Sequence, residues 1–305
     1  MELRHLRYFV AVAEELNFSR AAGRLYVAQP AISRQIADLE AEVGTPLLQR
    51  NTRRVLLTAA GHAFLADARH LLADADAATE RARRVARGEA GELAVAFLGA
   101  PTMRFFPTLV KEYRDRFPAV TLRMQEMTPE RQLEAFAAGR LNLGFTRPLP
   151  GDGFGGLKEE TVLEENLRAV VPVRHPLAPR ESVALGELAH HPWVLLARGE
   201  AVGLHDHILA ACRGAGFSPK VVNSPNLMAT VLTLVAAEQG VSVVPESVRN
   251  LRTADVRFLP LPPAPGPVPL VMAWRAEDDS PTLGAFRDLV RERRDAIRSG
   301  FAPSP

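Results

Sequence analysis

The chain has 305 residues, 47% of them hydrophobic and 24% charged, with a formal net charge of +2. That length holds two or three ordinary cores, and the composition is that of a globular protein. The charge is too small to announce a polyanion partner, a single cysteine excludes a disulfide framework and a cysteine-built zinc site, and no run of about 18 apolar residues offers a membrane span. The opening MELRHLRYFVAVAEE carries charge through its apolar run, unlike a signal peptide, so a cytoplasmic protein with no membrane partner is expected.

In MELRHLRYFVAVAEEL, Leu3, Leu6, Phe9, Val10 and Ala13 recur on one helical face, while Arg4 and Arg7 fall away from it. After a break at Asn17, Ser19 is expected to cap a short second helix whose Ala21, Ala22 and Leu25 let a neighbour approach closely. In the third helix Ile32, Ile36, Leu39 and Val43 face the core, and Gly44 with Pro46 ends it. Pro30 in its first turn sacrifices no intrahelical bond, and Gln29, Ser33 and Arg34 project outward near the N-terminus. Two helices joined by a tight turn, the second presenting an amide, a hydroxyl and a guanidinium, suit a helix-turn-helix in the major groove of double-stranded promoter DNA. Gln29 can reach adenine, Arg34 guanine, and Ser33 either bases or phosphates.

LLQRNTRRVLLTAAG then alternates apolar and polar residues around NTRR, so that Leu47, Leu48, Val55 and Leu57 pack a small hairpin beneath a basic tip. Arg50, Arg53 and Arg54 there are expected on phosphate or in the minor groove; their place beside a helix-turn-helix says more than the whole-chain charge.

From Thr58 to Arg87 no proline intervenes, Thr58 is a plausible cap, and Gly61 is the one residue that counts against a helix. Phe64, Ala68, Leu71, Ala75, Ala78, Ala82 and Val85 follow the alternating four- and three-residue steps of a coiled-coil seam. The alanines give little apolar area, so a partner subunit is expected on Phe64, Leu71, Ala75 and Ala78, although packing against the chain's own globular part gives the same pattern. Dimerisation lets two readers engage two half-sites.

Beyond residue 88, strand-like ELAVAFLG, a helix through RFFPTLVKEYRDRF, VTLRMQEM, a further helix and LNLGF alternate as β and α. A second set runs from TVLEENLRAVVP through WVLL, VGLHDHILAACRGAG, ATVLTLVAAEQ and VSVVP, and PLVMAWR with LGAFRDLVRERRDAI returns to the first. The expected fold is an α/β multidomain chain: a winged helix-turn-helix over residues 1–58, a linker and dimerisation helix over 59–88, and a two-lobed domain over 89–305. Lobe I would take about 92–161 and 268–299, lobe II about 162–267. Two such lobes offer a cleft at the carboxyl ends of their strands. There Gly99 and the backbone after it, Thr128 and Arg147 are placed to hold a small organic anion: Arg147 by a forked ion pair, Thr128 by its hydroxyl. Each also has a plainer reading as turn stabilisation or a salt bridge.

Other signals are weaker. GDGFGG at 151–156 has dinucleotide spacing but follows RPLP and opens no helix, so it is read as a loop. His190 with His191, and His205 with His207, lack the further ligands of a metal site, and Cys212 on an apolar helical face reads as packing. Neither a metal, a cofactor nor a catalytic triad is expected.

The stretch MELRHLRYFVAVAEELNFSRAAGRLYVAQPAISRQIADLEAEVGTPLLQR resembles the LysR-type transcriptional regulators, and the resemblance extends over essentially the whole chain. QIADLE and EMTPERQLEAFAAGRLNLGF are similar to the subgroup that controls aromatic-compound and muconate catabolism. The resemblance implies a periplasmic-binding-protein-like effector domain, a homodimer assembling into a homotetramer, cooperative promoter binding as activator or repressor, contact with RNA polymerase, and a small co-inducer. It implies an inducer site at Thr128, Arg147 and a serine after the first effector-domain strand. That serine position here reads Ala100, and Pro101 removes a neighbouring N–H, which implies a related ligand or a different orientation. A regulator responding to a carboxylate-bearing aromatic or ring-cleavage product is therefore expected. A metabolic enzyme built on the two lobes and a constitutive architectural DNA-binding protein are the alternatives, separable by turnover and by ligand-independent promoter occupancy.

Overall fold

The computed structural model describes residues 1–50, 55–148, 156–251 and 254–299, with the backbone alone for Arg50. The chain divides into two compact units, Met1–Arg84 and Val85–Pro305.

The first unit comprises α1 (Leu3–Glu15), α2 (Phe18–Leu25), α3 (Gln29–Val43), a hairpin of β1 (Leu48–Arg50) and β2 (Val55–Leu57), and most of α4 (Ala59–Ala86). Its core gathers Leu6, Phe9, Val12, Ala21, Ala22, Ile32, Ile36, Leu39 and Leu47. Each fully buried Leu or Ile there contributes about 1.5–3 kcal/mol relative to exposure. Three expectations are corrected. The buried arc of α1 includes Ala11 and Val12 but not Leu3, which is 44% exposed, because α1 packs against both α2 and α3 and so covers a wider arc than one stripe. The cap of α2 is Asn17, whose Oδ1 accepts from the Arg20 N–H at 3.0 Å; α2 has already begun at Phe18, so Ser19 lies inside it. Val43, in the last turn of α3, is exposed, and Gly44 ends the helix at φ +79°.

Thr58 caps α4: its Oγ1 accepts from the Gly61 N–H at 2.9 Å and approaches the Pro46 carbonyl, also at 2.9 Å. Gly61, unfavourable by helix propensity, is required by close packing, since a Cβ there would lie 2.0 Å from the Leu47 carbonyl oxygen.

The second unit runs β3 (Ala90–Phe97), α5 (Gly99–Thr102), α6 (Phe106–Arg116), β4 (Ala119–Glu126), α7 (Pro129–Ala137), β5 (Leu143–Thr146) and β6 (Leu157–Glu165). It continues with β7 (Leu167–Pro172), β8 (Pro192–Val194), α8 (Val202–Gly214), β9 (Lys220–Asn223), α9 (Met228–Ala236), β10 (Ser242–Pro245) and β11 (Val256–Pro260). It returns through β12 (Val268–Arg275), α10 (Pro281–Glu292) and α11 (Arg294–Ser299). Lobe I is a five-stranded sheet ordered β4-β3-β5-β12-β6, with β3 parallel to β4 and β5, and β12 antiparallel to β5 and β6. Lobe II holds the antiparallel sheet β10-β7-β11 and the parallel pair β8-β9, tied to it by a bridge between Trp193 and Val241.

The first crossing between lobes falls at Asn166, beyond the expected boundary at 161, because β6 stays paired with β12 as far as Glu165 opposite Val268. TVLEENLRAVVP thus supplies two strands to two different sheets. Lobe I packs Leu93, Val95, Phe105, Phe145, Met272 and Phe286; burial pushes the Tyr113 phenol in this core up to about 12, and its O–H donates to the Thr282 carbonyl at 2.9 Å. Lobe II packs Trp193, Ile208, Val243 and Cys212, whose thiol burial pushes up to about 11, which suits packing and not nucleophilic chemistry.

Candidate functional site

Gln29, Pro30, Ser33 and Arg34 all lie in the first two turns of α3. Ile32, Ile36 and Leu39, fully buried behind them, fix the rotation of the helix and leave Gln29, Pro30 and Arg34 exposed, with Ser33 half-buried. Arg34 makes no ion pair among the described residues, whereas Arg24 and Arg69 both hold Glu14 at 2.7 Å. Those two contacts, Arg69 first, keep the Glu14 carboxyl below its ordinary range, so both guanidiniums stiffen the unit internally. Tyr26 adds a group that the sequence reading missed: it ends α2 in the left-handed region at φ +55° and is 95% exposed beside α3. Its place off the Ala21, Ala22 and Leu25 face was the available signal. The side chains of Arg50, Arg53 and Arg54 lie outside the described residues, as do residues 151–155 of GDGFGG.

The seam on α4 is split. Phe64 meets Phe9 edge to face at 5.4 Å and Ala68 is fully buried in the same core, so these two belong to their own helix-turn-helix unit. Phe64 is half-buried there, so its packing within its own subunit is the plainer of the two readings of the seam at this position. Leu71, 44% exposed, and Ala78 are open, and Ala75 is half-buried.

In the two-lobed unit, Gly99 and Ala100 open the four-residue α5. The Glu126 carboxylate lies against this turn, where a Cβ on Gly99 would come 2.4 Å from Glu126 Oε1. Ala100 packs on lobe II, against the cluster containing Val194, Val231, Val244, Leu196 and Met228. Thr128 caps α7, its Oγ1 facing the Arg131 N–H at 3.5 Å. That bond is long, and the hydroxyl keeps its own proton to donate. Two residues on, Glu130 Oε1 accepts from the Val202 N–H at 2.8 Å and ties α7 of lobe I to the start of α8 of lobe II. Thr128, Ala100 and the α8 N-terminus therefore border the junction of the lobes.

Arg147 stands apart from the expected open clamp. It is only 5% exposed and its guanidinium is already committed, to Glu165 and to the carbonyls of Val268 and Pro269 at 3.2 Å each. Glu165 Oε1 also accepts from the Ser247 N–H at 2.8 Å. The pair locks the ends of β5 and β6 to the start of β12 and to lobe II. Sequence reasoning missed Glu165 because nothing local marks it among the acidic residues of KEETVLEE.

His191 approaches His175, at 3.3 Å between Nδ1 and Nε2, and burial followed by its neighbour's charge holds His175 below its ordinary value. No group of three or more His, Cys, Asp or Glu side chains suited to a metal occurs among the described residues. Within the same residues no helix is long and apolar enough to cross a membrane.

Comparison with known proteins agrees with this architecture. Residues 3–62 match the model of the bacterial regulatory helix-turn-helix protein, lysR family, and residues 86–295 that of the LysR substrate binding domain. The chain is 39% identical to the uncharacterised HTH-type transcriptional regulator YnfL of Escherichia coli (strain K12), over 94% of this chain and 97% of that one. It is 35% identical to the HTH-type transcriptional regulator TcbR of Pseudomonas sp. (strain P51), over 95% and 98%. Among solved structures, full-length CbnR complexed with its target DNA superposes with a TM-score of 0.81 at 34% identity, covering 96% of this chain and 100% of that one. Full-length BenM gives 0.60 at 31% identity, covering 100% of each chain. With its helix-turn-helix, linker helix and two-lobed effector domain, the chain belongs to the LysR family of DNA-binding transcriptional regulators and is related within it to the subgroup responsive to aromatic compounds and muconate.

Proposed function

We propose that this regulator reads a promoter through Gln29, Ser33 and Arg34, with Tyr26 and the basic tip Arg50, Arg53 and Arg54 on the phosphates. In this reading it changes its grip when a carboxylate-bearing aromatic metabolite or ring-cleavage product enters between its lobes. One observation supports the reading: the Glu130 to Val202 tie joins α7, which Thr128 caps, to the start of α8 in the other lobe. The Thr128 hydroxyl and the first-turn amides of α7 receive the carboxylate, where the helix dipole favours negative charge. Arg147 acts indirectly, holding the strand ends at the crossover through Glu165.

Two chains associate through the open face of α4, at Leu71, Ala75 and Ala78, which sets two readers on two half-sites; dimers pair into a tetramer, and bound tetramer contacts RNA polymerase. Calorimetry with a panel of aromatic carboxylates and dicarboxylates, alongside operator binding, tests the reading. It predicts that at least one acid binds without turnover and alters operator binding, and that Thr128→Val weakens that acid about fivefold or more. An acid consumed by the purified protein, or operator binding indifferent to the whole panel, would defeat it.

A further inference from the structure

The hydrogen bond that the Val202 N–H donates to Glu130 Oε1, at 2.8 Å, joins two helix ends that belong to different lobes. Glu130 stands in the first turn of α7, two residues beyond Thr128. Val202 opens α8, a 13-residue helix whose N-cap, Ala201, offers no side-chain acceptor and whose first turn holds no acidic residue. The start of a helix needs acceptors and favours negative charge, and here that charge comes from the other lobe. The second oxygen of the same carboxylate, Glu130 Oε2, is buried and has no hydrogen-bond partner among the described residues. A carboxylate so placed resists the approach of another anion, because no donor beside it offsets the added charge.

The guanidiniums around this tie limit how many anions the junction can accept. Within α7, the helical turn Arg198–Glu200 and the first two turns of α8 there are two, Arg131 and Arg198. Arg198 is held by Asp206 through two contacts of 2.8 Å, and Arg147 is locked to Glu165. Arg131 is exposed and makes no ion pair among the described residues. Glu126 adds a carboxylate against Gly99, and position 100, where the resemblance implies a serine, carries only a methyl group. Pro129 removes the N–H at the first position of α7, so a carboxylate received there meets the amides of Glu130 and Arg131. One carboxylate thus finds the Thr128 hydroxyl, two amides and one open guanidinium. A second carboxylate, reaching across to lobe II on the same molecule, finds Glu130 already at the start of α8 and no uncommitted guanidinium on those elements.

We infer that Glu130 is a specificity-determining residue, an internal carboxylate that fills the acceptor place at the start of α8 and restricts the effector to a single carboxylate with a neutral far end. This rests on the proposed effector cleft and narrows it, from carboxylates in general to aromatic or aliphatic monocarboxylates. Two like charges about 10 Å apart near a protein surface repel strongly enough to weaken binding about tenfold.

Calorimetry on the full chain with two matched pairs of acids, benzoate with terephthalate and hexanoate with adipate, tests this in wild type and Glu130→Gln. Glutamine has nearly the same size and keeps an oxygen for the Val202 N–H, so the lobes stay tied while the charge is removed. In wild type the monocarboxylate of at least one pair should bind about tenfold more tightly than its dicarboxylate, and Glu130→Gln should shrink that gap about tenfold. A dicarboxylate that binds wild type as tightly as its monocarboxylate, or a gap unchanged in Glu130→Gln, would overturn the filter. Should wild type bind none of the four acids, a gain of dicarboxylate binding in Glu130→Gln supports the filter and the absence of that gain overturns it. Thr128→Val separates this from the cleft reading. A monocarboxylate weakened by Thr128→Val whose advantage persists in Glu130→Gln leaves the cleft standing and removes the filter. A monocarboxylate indifferent to Thr128→Val moves the carboxylate away from Thr128, while a gap that closes in Glu130→Gln still supports the filter.

Discussion

Arg147 and Glu165, eighteen residues apart, form a buried ion pair at the point where the chain first leaves lobe I, and Glu165 simultaneously receives the Ser247 N–H from lobe II. Removing one partner of such a pair strands the other as an uncompensated charge. Arg147→Ala is therefore expected to destabilise the two-lobed domain by about 3–5 kcal/mol, and the Arg147→Met, Glu165→Leu double variant to recover most of that loss. Chemical denaturation of wild type, Arg147→Met, Glu165→Leu and the double variant, with Arg147→Ala alongside, measures both; additive losses in the double variant would show that the two side chains do not act as a unit.

Arg34→Ala should weaken specific operator binding by about 1–3 kcal/mol while leaving binding to random duplex nearly unchanged, as expected for a side chain on a base edge. Anisotropy titrations at fixed salt against both duplexes check this. Equal losses on both would move Arg34 to the phosphates.

Leu71→Asp places a carboxylate on the open face of α4, and burying it unpaired against a second copy costs more than the lost leucine contact alone. Sedimentation should show association weakened by about tenfold or more, with the spectrum of the folded monomer retained. Unchanged association would remove Leu71 from the interface.

Acid should loosen lobe I through Glu112 and Glu160. Hydrogen bonds from Arg293 to Glu112 and from Arg291 to Glu160 hold both carboxyls below their ordinary value of 4.5. A carboxyl lowered by folding contributes stability that is full above its unfolded value and is lost as pH falls through the folded value. Melting temperature should thus decline below about pH 4.5, and Glu112→Gln with Glu160→Gln should flatten that decline. An identical acid limb in the double variant would place the acid-sensitive groups elsewhere.

Much of this was legible in the sequence where periodicity and packing agree. Ile32, Ile36 and Leu39 fixed the face of α3, and hence the exposure of Gln29 and Arg34, because a 3.6-residue repeat has one solution. Thr58 and Gly44 carried their helix ends by local bonding alone. The contact of Phe64 with Phe9 was not legible, because heptad spacing states which residues share a face, not which neighbour covers it. Glu165 and Glu126 were invisible for a related reason: their significance comes from partners between 18 and 82 residues away, which have no local signature. Pairing through β12 brings the crossover together only after the chain has returned from lobe II.

The central claim is that one chain couples sequence-specific DNA reading to an effector held between two lobes. Its most direct test is a footprint on the DNA flanking the protein's own gene, titrated with the full chain in the presence and absence of each acid in the panel. The account predicts protection of two half-sites about one helical turn, or a multiple of it, apart, lost in Arg34→Ala, and a changed protected length when one acid is added. Protection without sequence preference, or an identical footprint with and without every acid, would contradict it.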